Sequence, residues 1–301
     1  MTTSHNLGFP RIGERRELKK ATEAYWTGDL DRAGLESAGA DIRRANWKKQ
    51  RAAGIDLIPS NDFSFYDQVL DMACLVGNVP ARFDWDGEHA DLDLAFDMAR
   101  GTRAAIACEM TKWFDTNYHY LVPEFTRDTA FKLAATKIFD EFAEAKSLGI
   151  VTKPVLIGPA TYLTLGKVAD GSNLDKFELA DQLIPVYVEI LDRLAAAGAE
   201  WVQIDEPIFS LDLTDAQREV IAKTYETLSR VGDLKIMVAN YFGELRDNLD
   251  LFVNLPVAAL HIDGLRGASE IETVAARLAG DTKLSIGAVD GRNIWKTDLA
   301  A

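Results

Sequence analysis

The run PVLIG, residues 154–158, gives the clearest indication of the fold, because this short apolar stretch ends in glycine and the same unit returns along the chain. Amphipathic stretches lie between the runs, as at 179–197, whose apolar residues fall at 183, 184, 187, 190, 191 and 194. Uninterrupted apolar strands that alternate with helices are typical of a parallel sheet covered on both faces. The later runs are WVQID, LKIMVA, ALHID and LSIGA, at 201–205, 234–239, 259–263 and 284–288.

Towards the N-terminus the same signal appears at 7–10 and 55–59, which brings the parallel candidates to seven. YHYLVP, residues 118–123, alternates polar and apolar side chains and predicts a hairpin strand. Eight strands would close an α/β fold of the (β/α)8 TIM-barrel type. The alternative is an open doubly wound sheet, but its G-x-G-x-x-G phosphate fingerprint is absent from the sequence.

The chain reads as one domain over residues 1–301, because no Pro/Ser-rich linker or charge block divides it. Residues 84–103 are acidic and predict an irregular inserted loop. Together with the hairpin, this loop forms a predicted insertion at about 78–125.

Composition restricts the partners. The 301 residues are 48% hydrophobic and 27% charged, and 33 basic against 47 acidic side chains leave a net charge of −14. This balance argues against nucleic acid or an anionic membrane as a general partner. The two cysteines, Cys74 and Cys108, suit a reducing compartment, and no apolar window approaches a membrane span. We therefore expect a soluble cytoplasmic protein.

A cationic cluster stands out against that acidic background. RIGERRELKK, residues 11–20, has five cations and two carboxylates. A helix is predicted from about Glu14 to Trp26, which places Arg16 in a first turn where the helix dipole disfavours positive charge. Arg16 and Lys19 would share a face. The cluster predicts an anion site after a strand end, and the alternative is a solvated helix face.

The pair Asp205-Glu206 closes a predicted strand and precedes Pro207. Neighbouring strand residues face opposite ways, so one carboxylate is expected to point inward. It would act as a general acid or base, or bind a substrate ammonium. The alternative is a helix N-cap or a salt-bridged carboxylate at the rim.

Lys112 lies beside Trp113 and Phe114, where it would hold an anion against aromatic surface. The alternative is aromatic packing around a hairpin, with the lysine stem lying along it. The four histidines and two cysteines show no zinc-ligand spacing, and no nucleophile elbow or P-loop occurs. The sequence therefore predicts neither a metal site nor a catalytic nucleophile in this chain.

Six segments, taken in order, resemble the N-terminal half of the cobalamin-independent methionine synthase family, the 5-methyltetrahydropteroyltriglutamate–homocysteine S-methyltransferases. The resemblance runs from about Leu7 to the end of the chain. The segments are LGFPRIGERRELKKATEAYW, AGIDLIPSNDFSFYDQVL, EMTKWFDTNYHYLVPEF, KPVLIGPATYL, EWVQIDEPIF and GAVDGRNIW.

The resemblance implies two face-to-face barrels, of which the C-terminal one carries zinc and most of the folate. The N-terminal barrel grips the polyglutamate tail of 5-methyltetrahydropteroyltri-L-glutamate. The family's folate segment falls on Arg16, Glu17, Leu18 and Lys19, and its lysine in the E-M-T-K-W motif falls on Lys112.

The resemblance also implies departures. The zinc ligands and the catalytic C-terminal barrel, the expected partner, are missing, so this chain alone is expected to be inactive. By the same comparison the eighth strand lies beyond Ala301. Two alternatives remain: a self-sufficient barrel enzyme that uses Asp205 or Glu206 with Lys112, and a scaffold that docks the catalytic barrel without binding folate.

Overall fold

A six-stranded parallel sheet forms the centre of the molecule in the computed structural model, which describes residues 2–169, 171 and 173–298. In chain order the strands are β1 (Ile58–Ser60), β2 (Met110–Lys112), β3 (His119–Leu121), β4 (Glu124–Phe125), β5 (Thr152–Ile157), β6 (Lys167–Val168), β7 (Trp201–Asp205), β8 (Lys235–Ala239), β9 (Ala259–Ile262) and β10 (Lys283–Ile286). The strand order in the central sheet is β1-β5-β7-β8-β9-β10, and every neighbouring pair is parallel.

Helices connect the strands of this sheet. The amphipathic pattern at 179–197 forms α7 (Ala180–Ala196), whose six predicted apolar positions are all buried. In chain order the helices are α1 (Glu17–Thr27), α2 (Arg32–Ala52), α3 (Gln68–Leu75), α4 (Leu92–Arg100), α5 (Lys137–Ser147), α6 (Pro159–Leu165), α7 (Ala180–Ala196), α8 (Asp215–Leu228), α9 (Leu249–Val253) and α10 (Ile271–Arg277). No helix in these ranges is long and apolar enough to cross a membrane.

The prediction of a strand at 7–10 was wrong, because this segment forms no strand. Nearby, only His5 forms a bridge, a parallel one to Leu57. Pro10 has no N–H to give to a ladder, and side chains from the inner face of the sheet hold this segment instead. The other edge strand, β10, pairs with β9 alone among the described strands, so the sheet is not closed.

Helix α1 begins at Glu17, three residues later than predicted. Gly13 and Arg16 have φ of 81° and 63°, and these left-handed conformations cannot continue a right-handed helix. Arg16 therefore occupies the N-cap and not the first turn. The helix ends at Thr27, one residue after the predicted end at about Trp26, and Gly28 caps it at φ 80°.

The predicted hairpin is confirmed by the antiparallel pairing of β2 with β3. The prediction of an irregular loop at 84–103 was wrong, because this stretch contains helix α4. Asp91 accepts a hydrogen bond from the Leu94 N–H at 3.0 Å and so caps this helix. Asp91, one of the acidic residues of this stretch, therefore serves to start a helix.

Candidate functional site

A pocket of about 580 Å³ opens at the carboxyl ends of the parallel strands. Residues at and after the ends of β1, β5 and β7 line it, together with helix α3, residues 7–11 and the hairpin turn. In α/β sheets this edge is where ligands bind, because the loops that follow the strands converge there.

Asp205, the last residue of β7, lines this pocket and is 7% exposed. Its carboxylate accepts hydrogen bonds from the Gln203 amide at 2.7 Å and the Tyr241 hydroxyl at 3.1 Å. Burial raises the pKa of Asp205 to about 6, while these donors and the nearby Lys153 ammonium favour the charged form. Asp205 is therefore the inward carboxylate of the pair.

Glu206 points the other way and is fully buried. It accepts the Thr161 N–H at 2.7 Å, the Thr161 hydroxyl at 2.5 Å and the Tyr225 hydroxyl at 3.1 Å. Burial raises its pKa to about 7, against these donors. Glu206 thus occupies the start of α6 as a structural cap, which was the alternative left open for this pair.

Of the predicted cationic residues, Arg11 lines the pocket, whereas Arg16, Lys19 and Lys112 lie outside its lining. Arg16 is exposed and forms no ion pair with any described residue. Its N–H donates to the Gly13 carbonyl at 3.3 Å, and the Glu17 carboxylate accepts the Arg15 N–H at 2.9 Å. This tight turn holds the Arg16 backbone in its left-handed conformation at the start of α1.

The next two residues have different environments. The Leu18 side chain is buried against Ile42 and Phe63, so it anchors α1 and presents no side chain to solvent. Lys19 is exposed and forms an ion pair with Glu23, whose side chain is 53% exposed. Such exposed i,i+4 pairs are weak and leave the ammonium accessible to a competing anion.

Lys112 ends β2 with an exposed side chain and no ion-pair partner in the described ranges. Trp113 beside it is buried edge-on against Phe114 and Tyr120, as aromatic hairpin packing requires. Arg11 links the two predicted regions, because its guanidinium lies 5.8 Å from the centre of the Tyr118 ring in the hairpin turn.

Several charged residues at the pocket were missed from the sequence: Asp62, Asp71 and Lys137 line it, and Lys153 contacts Gln203 on the neighbouring strand. Asp62, which follows β1, lines the pocket, and its carboxylate accepts the Phe9 N–H at 2.8 Å. Lys153 is fully buried on the inner face of β5 and donates to the Asn6 carbonyl at 2.9 Å. Burial lowers the pKa of Lys153 to about 8. A charged residue inside an apolar strand run was the available signal.

Among the described residues, His5 and His261 are engaged in other contacts and the histidines do not form a zinc site. His5 and His261 each direct one ring nitrogen at the Ser285 hydroxyl, at 2.6 and 2.7 Å. Burial lowers the pKa values of these histidines to about 4 and about 3. Across residues 2–169, 171 and 173–298, no group of three or more His, Cys, Asp or Glu side chains could hold a metal ion.

A parallel sheet with a pocket at its carboxyl edge and exposed cations on the neighbouring segments defines an α/β domain with a candidate ligand site. The family described as "Cobalamin-independent synthase, N-terminal domain" matches residues 3–301. The chain therefore belongs to the cobalamin-independent methionine synthase family, as its N-terminal domain.

Relatives of known name agree with this assignment. The chain is 49% identical over 311 residues to a protein of Salinibacter ruber and 50% identical over 315 residues to one of Nitrobacter winogradskyi. Both are named 5-methyltetrahydropteroyltriglutamate–homocysteine methyltransferase. The alignments cover 100% and 98% of this chain but only 40% and 41% of those proteins, so the chain spans about two fifths of their length.

Solved structures support the fold. A putative vitamin-B12 independent methionine synthase from Listeria monocytogenes superimposes with a TM-score of 0.64 at 15% identity, covering 100% of this chain and 85% of that one. A B12-independent methionine synthase from Shewanella sp. W3-18-1, in complex with selenomethionine, gives 0.63 at 16% identity, covering 86% and 72%.

Proposed function

We propose that this chain is the folate-polyglutamate-binding part of a zinc-dependent methyltransferase. That enzyme would move a methyl group from 5-methyltetrahydropteroyltriglutamate to homocysteine and form methionine. Arg16 and Lys19 on α1, with Lys112 on the hairpin, hold the carboxylates of the triglutamate tail. Glu17 shapes the turn that carries Arg16, and Leu18 anchors the helix to the core. None of these residues has a catalytic role.

One observation carries this proposal. Relatives named for a triglutamate methyl donor align with this whole domain, and the domain exposes Arg16 and Lys112 without an internal counter-ion among the described residues. A net charge of −14 would repel a polyanion unless cations were placed where it binds.

The proposal extends to architecture and partners. We interpret the open sheet as a (β/α)8 TIM-like barrel of one domain over 1–301, with its last strand missing and an insertion at about 78–125. The catalytic partner is a second, C-terminal barrel of the same enzyme, which supplies zinc. The chain alone is inactive, binds neither nucleic acid nor membrane, and works in the cytoplasm.

Titration with methyltetrahydrofolate bearing one or three glutamates tests the assignment. Reversing both charges, Arg16→Glu with Lys19→Glu, should weaken triglutamate binding about tenfold, because two attractions become repulsions. Binding of the monoglutamate should change much less. Isothermal titration at low salt measures both affinities.

The matched control reverses two cations elsewhere, Arg44→Glu with Lys48→Glu on α2. This control has the same net charge as the Arg16→Glu, Lys19→Glu variant, but it should bind both folates as the unmodified chain does. Equal losses in the two double variants would reduce the effect to net charge. A triglutamate affinity no higher than that of the monoglutamate, in this chain and in the full enzyme, would refute the tail-binding role.

One observation favours the scaffold alternative, since Lys19 is already paired with Glu23. On that hypothesis α1 is only solvated surface. Full-length enzyme with Lys19→Ala and Lys112→Ala would then turn over the triglutamate substrate at the original rate and KM. A raised KM for the triglutamate alone would favour tail binding.

A further inference from the structure

After β10 the chain passes along the rim of the pocket, and residues 287–298 form neither helix nor strand. Gly291, within this segment, is exposed to solvent and also lines the pocket, so it lies at the rim. The pocket volume of about 580 Å³ falls within the range of small-molecule sites. Residues 288–292, the strap, therefore lie where they can control access to this pocket.

Arg292 attaches the strap to the hairpin turn. Its guanidinium pairs with the Asp115 carboxylate at 3.2 and 3.3 Å and donates to the Asp115 carbonyl at 3.4 Å. The same guanidinium lies 5.7 Å from the centre of the Phe242 ring. Phe242 lines the pocket, and so does Thr116, the residue that follows Asp115. Arg292 thus joins the strap to two walls of the pocket.

The other end of the strap is fixed by the backbone. The Gly287 N–H donates to the carbonyl of Ile262, the last residue of β9, at 2.9 Å, and the Gly287 carbonyl accepts the Gly264 N–H at 3.1 Å. The Arg292 and Asp115 side chains, in contrast, are 35% and 71% exposed. Ion pairs this exposed are weak and are screened by salt, so the hairpin end of the strap is the end that can detach.

Two aromatic residues beside the strap have strained backbones. Phe114 has φ of 51° and Phe242 has φ of 83°, in the left-handed region that bulky side chains rarely adopt. Their ring centres lie 5.4 Å apart. Residues strained in this way persist only where surrounding contacts hold them, and they cluster at ligand clamps and switch regions. Arg292 supplies one of the contacts that hold this pair, so its release favours movement at the rim.

We propose that the strap is a lid on the pocket, which pivots near Gly287 and is latched to the hairpin by the Arg292–Asp115 ion pair. Release of this ion pair opens the pocket to a small-molecule ligand. The lid controls entry to the pocket, and its opening does not require the residues assigned to the polyglutamate tail.

Thiol labelling inside the pocket measures this opening. Ser64 lines the pocket and is 2% exposed, so Ser64→Cys places a thiol there with little change in volume. The two native cysteines are buried, and burial raises the pKa of Cys74 above its usual range and that of Cys108 to about 12, which makes both react slowly. Methyl methanethiosulfonate, a neutral reagent, labels the full 301-residue chain, and mass spectrometry of its peptides gives the rate at each thiol.

Arg292→Gln in the Ser64→Cys chain should raise the labelling rate at position 64 about fivefold, the size expected from the loss of one exposed ion pair. Asp115→Asn should have the same effect, and the two changes together should add nothing further, because both break the same contact. The control is Arg230→Gln, which breaks an exposed pair with Glu226 on α8 and should leave the rate unchanged. Circular dichroism melts establish that each variant is folded.

Salt provides a test without any change in the strap. Raising NaCl to about 1 M, where the Debye length falls to about 3 Å, should speed labelling of the Ser64→Cys chain and have little effect once Arg292→Gln is also present. Equal rates with and without Arg292 would overturn the proposal. Parallel acceleration at Cys74 and Cys108 would assign the change to global unfolding and would overturn it as well.

Discussion

At the scale of single residues, the link His5–Ser285–His261 joins the N-terminal segment to the last strand. The His261 ring is buried and the His5 ring half-buried, and the two approach edge to face at 5.7 Å between centres. Their pKa values are lowered by burial first, and the charge on Lys153 lowers them further. Both side chains therefore stay neutral in the folded protein where an unfolded chain would protonate them.

The lowered pKa values predict the direction in which stability changes with pH. A histidine whose folded pKa lies below its unfolded value of about 6.5 contributes stability above pH 6.5 that is lost as the pH falls. Glutamine does not titrate, so a His261→Gln chain does not lose this stability as the pH falls. The destabilisation of the variant relative to the unmodified chain should therefore be about 2 kcal/mol smaller at pH 5 than at pH 7. Urea unfolding at the two pH values measures this difference.

The pH dependence of one chain alone would not isolate the histidine, because Asp205 and Glu206 change stability with pH in the opposite direction. The effect is therefore measured as a difference between the variant and the unmodified chain. The raised pKa values of these two carboxyl groups mean that each destabilises the folded state as the pH rises from about 4 towards 6 or 7. His119→Gln, at the exposed start of β3, is the control and should give the same difference from the unmodified chain at both pH values. A destabilisation by His261→Gln that stays constant from pH 7 to pH 5 would contradict the buried neutral state.

At the scale of elements, period and length were enough to predict α7, β7 and the hairpin strand β3. Each is specified by its own residues: α7 by apolar side chains at helical spacing, and β7 by an uninterrupted apolar run. The segment 7–10 failed the same reasoning, because its attachment depends on Lys153 and Gln203, about 150 and 200 residues away. No local pattern reports such a distant partner.

The candidate site also has a part that local sequence predicts and a part that depends on distant residues. The sequence predicted that one carboxylate of Asp205-Glu206 faces inward, because this follows from strand geometry alone. Which residues surround it was not predictable, since Asp62 and Tyr241 come from other strand ends and meet only in the folded sheet. The left-handed Arg16 was also missed, because nothing in an arginine side chain favours that conformation.

The packing of α6 on β7 depends on one glycine. A Cβ at Gly158 would lie 2.1 Å from the Glu206 carboxyl carbon, inside a fully buried hydrogen-bond network. Gly158→Ala should therefore cost about 1–3 kcal/mol by overpacking. Urea midpoints measure the loss.

Gly243→Ala is the matched control, because its Cβ would meet the nearest atom, Ser210 Cβ, at an ordinary 3.6 Å. We expect it to change stability by less than about 0.5 kcal/mol. Similar effects of the two substitutions would contradict the close approach of Glu206 to the start of α6.

At the scale of the whole molecule, the N-terminal segment completes one wall of the pocket and leads into the cationic turn before α1. It is attached to the sheet by side chains more than by a backbone ladder. Such attachments open locally at lower free energy than a central strand does. The segment is therefore the part of the site whose order depends most on a few polar contacts.

Lys153→Met tests this attachment. The substitution removes donors to the Asn6 carbonyl and the Gln203 oxygen, but it also removes the cost of burying an ammonium. These opposing effects predict little change in global stability and a local loss of order. In native-state hydrogen exchange, the Phe9 and Leu57 amides, which bond to Asp62 and the Ser4 carbonyl, should exchange at least tenfold faster.

The amides of β7 and β8, the central strands, should keep their exchange rates, because they pair with neighbours on both sides. Lys176→Met provides the control: this lysine also donates to two carbonyls, at 2.7 and 2.8 Å, but far along the chain from the N-terminal segment. Uniformly faster exchange across β7, β8 and residues 5–9 would show that Lys153 supports the whole sheet. Exchange confined to the N-terminal segment identifies Lys153 as the residue that fixes one wall of the pocket, and this wall leads directly to the residues proposed to bind the polyglutamate tail.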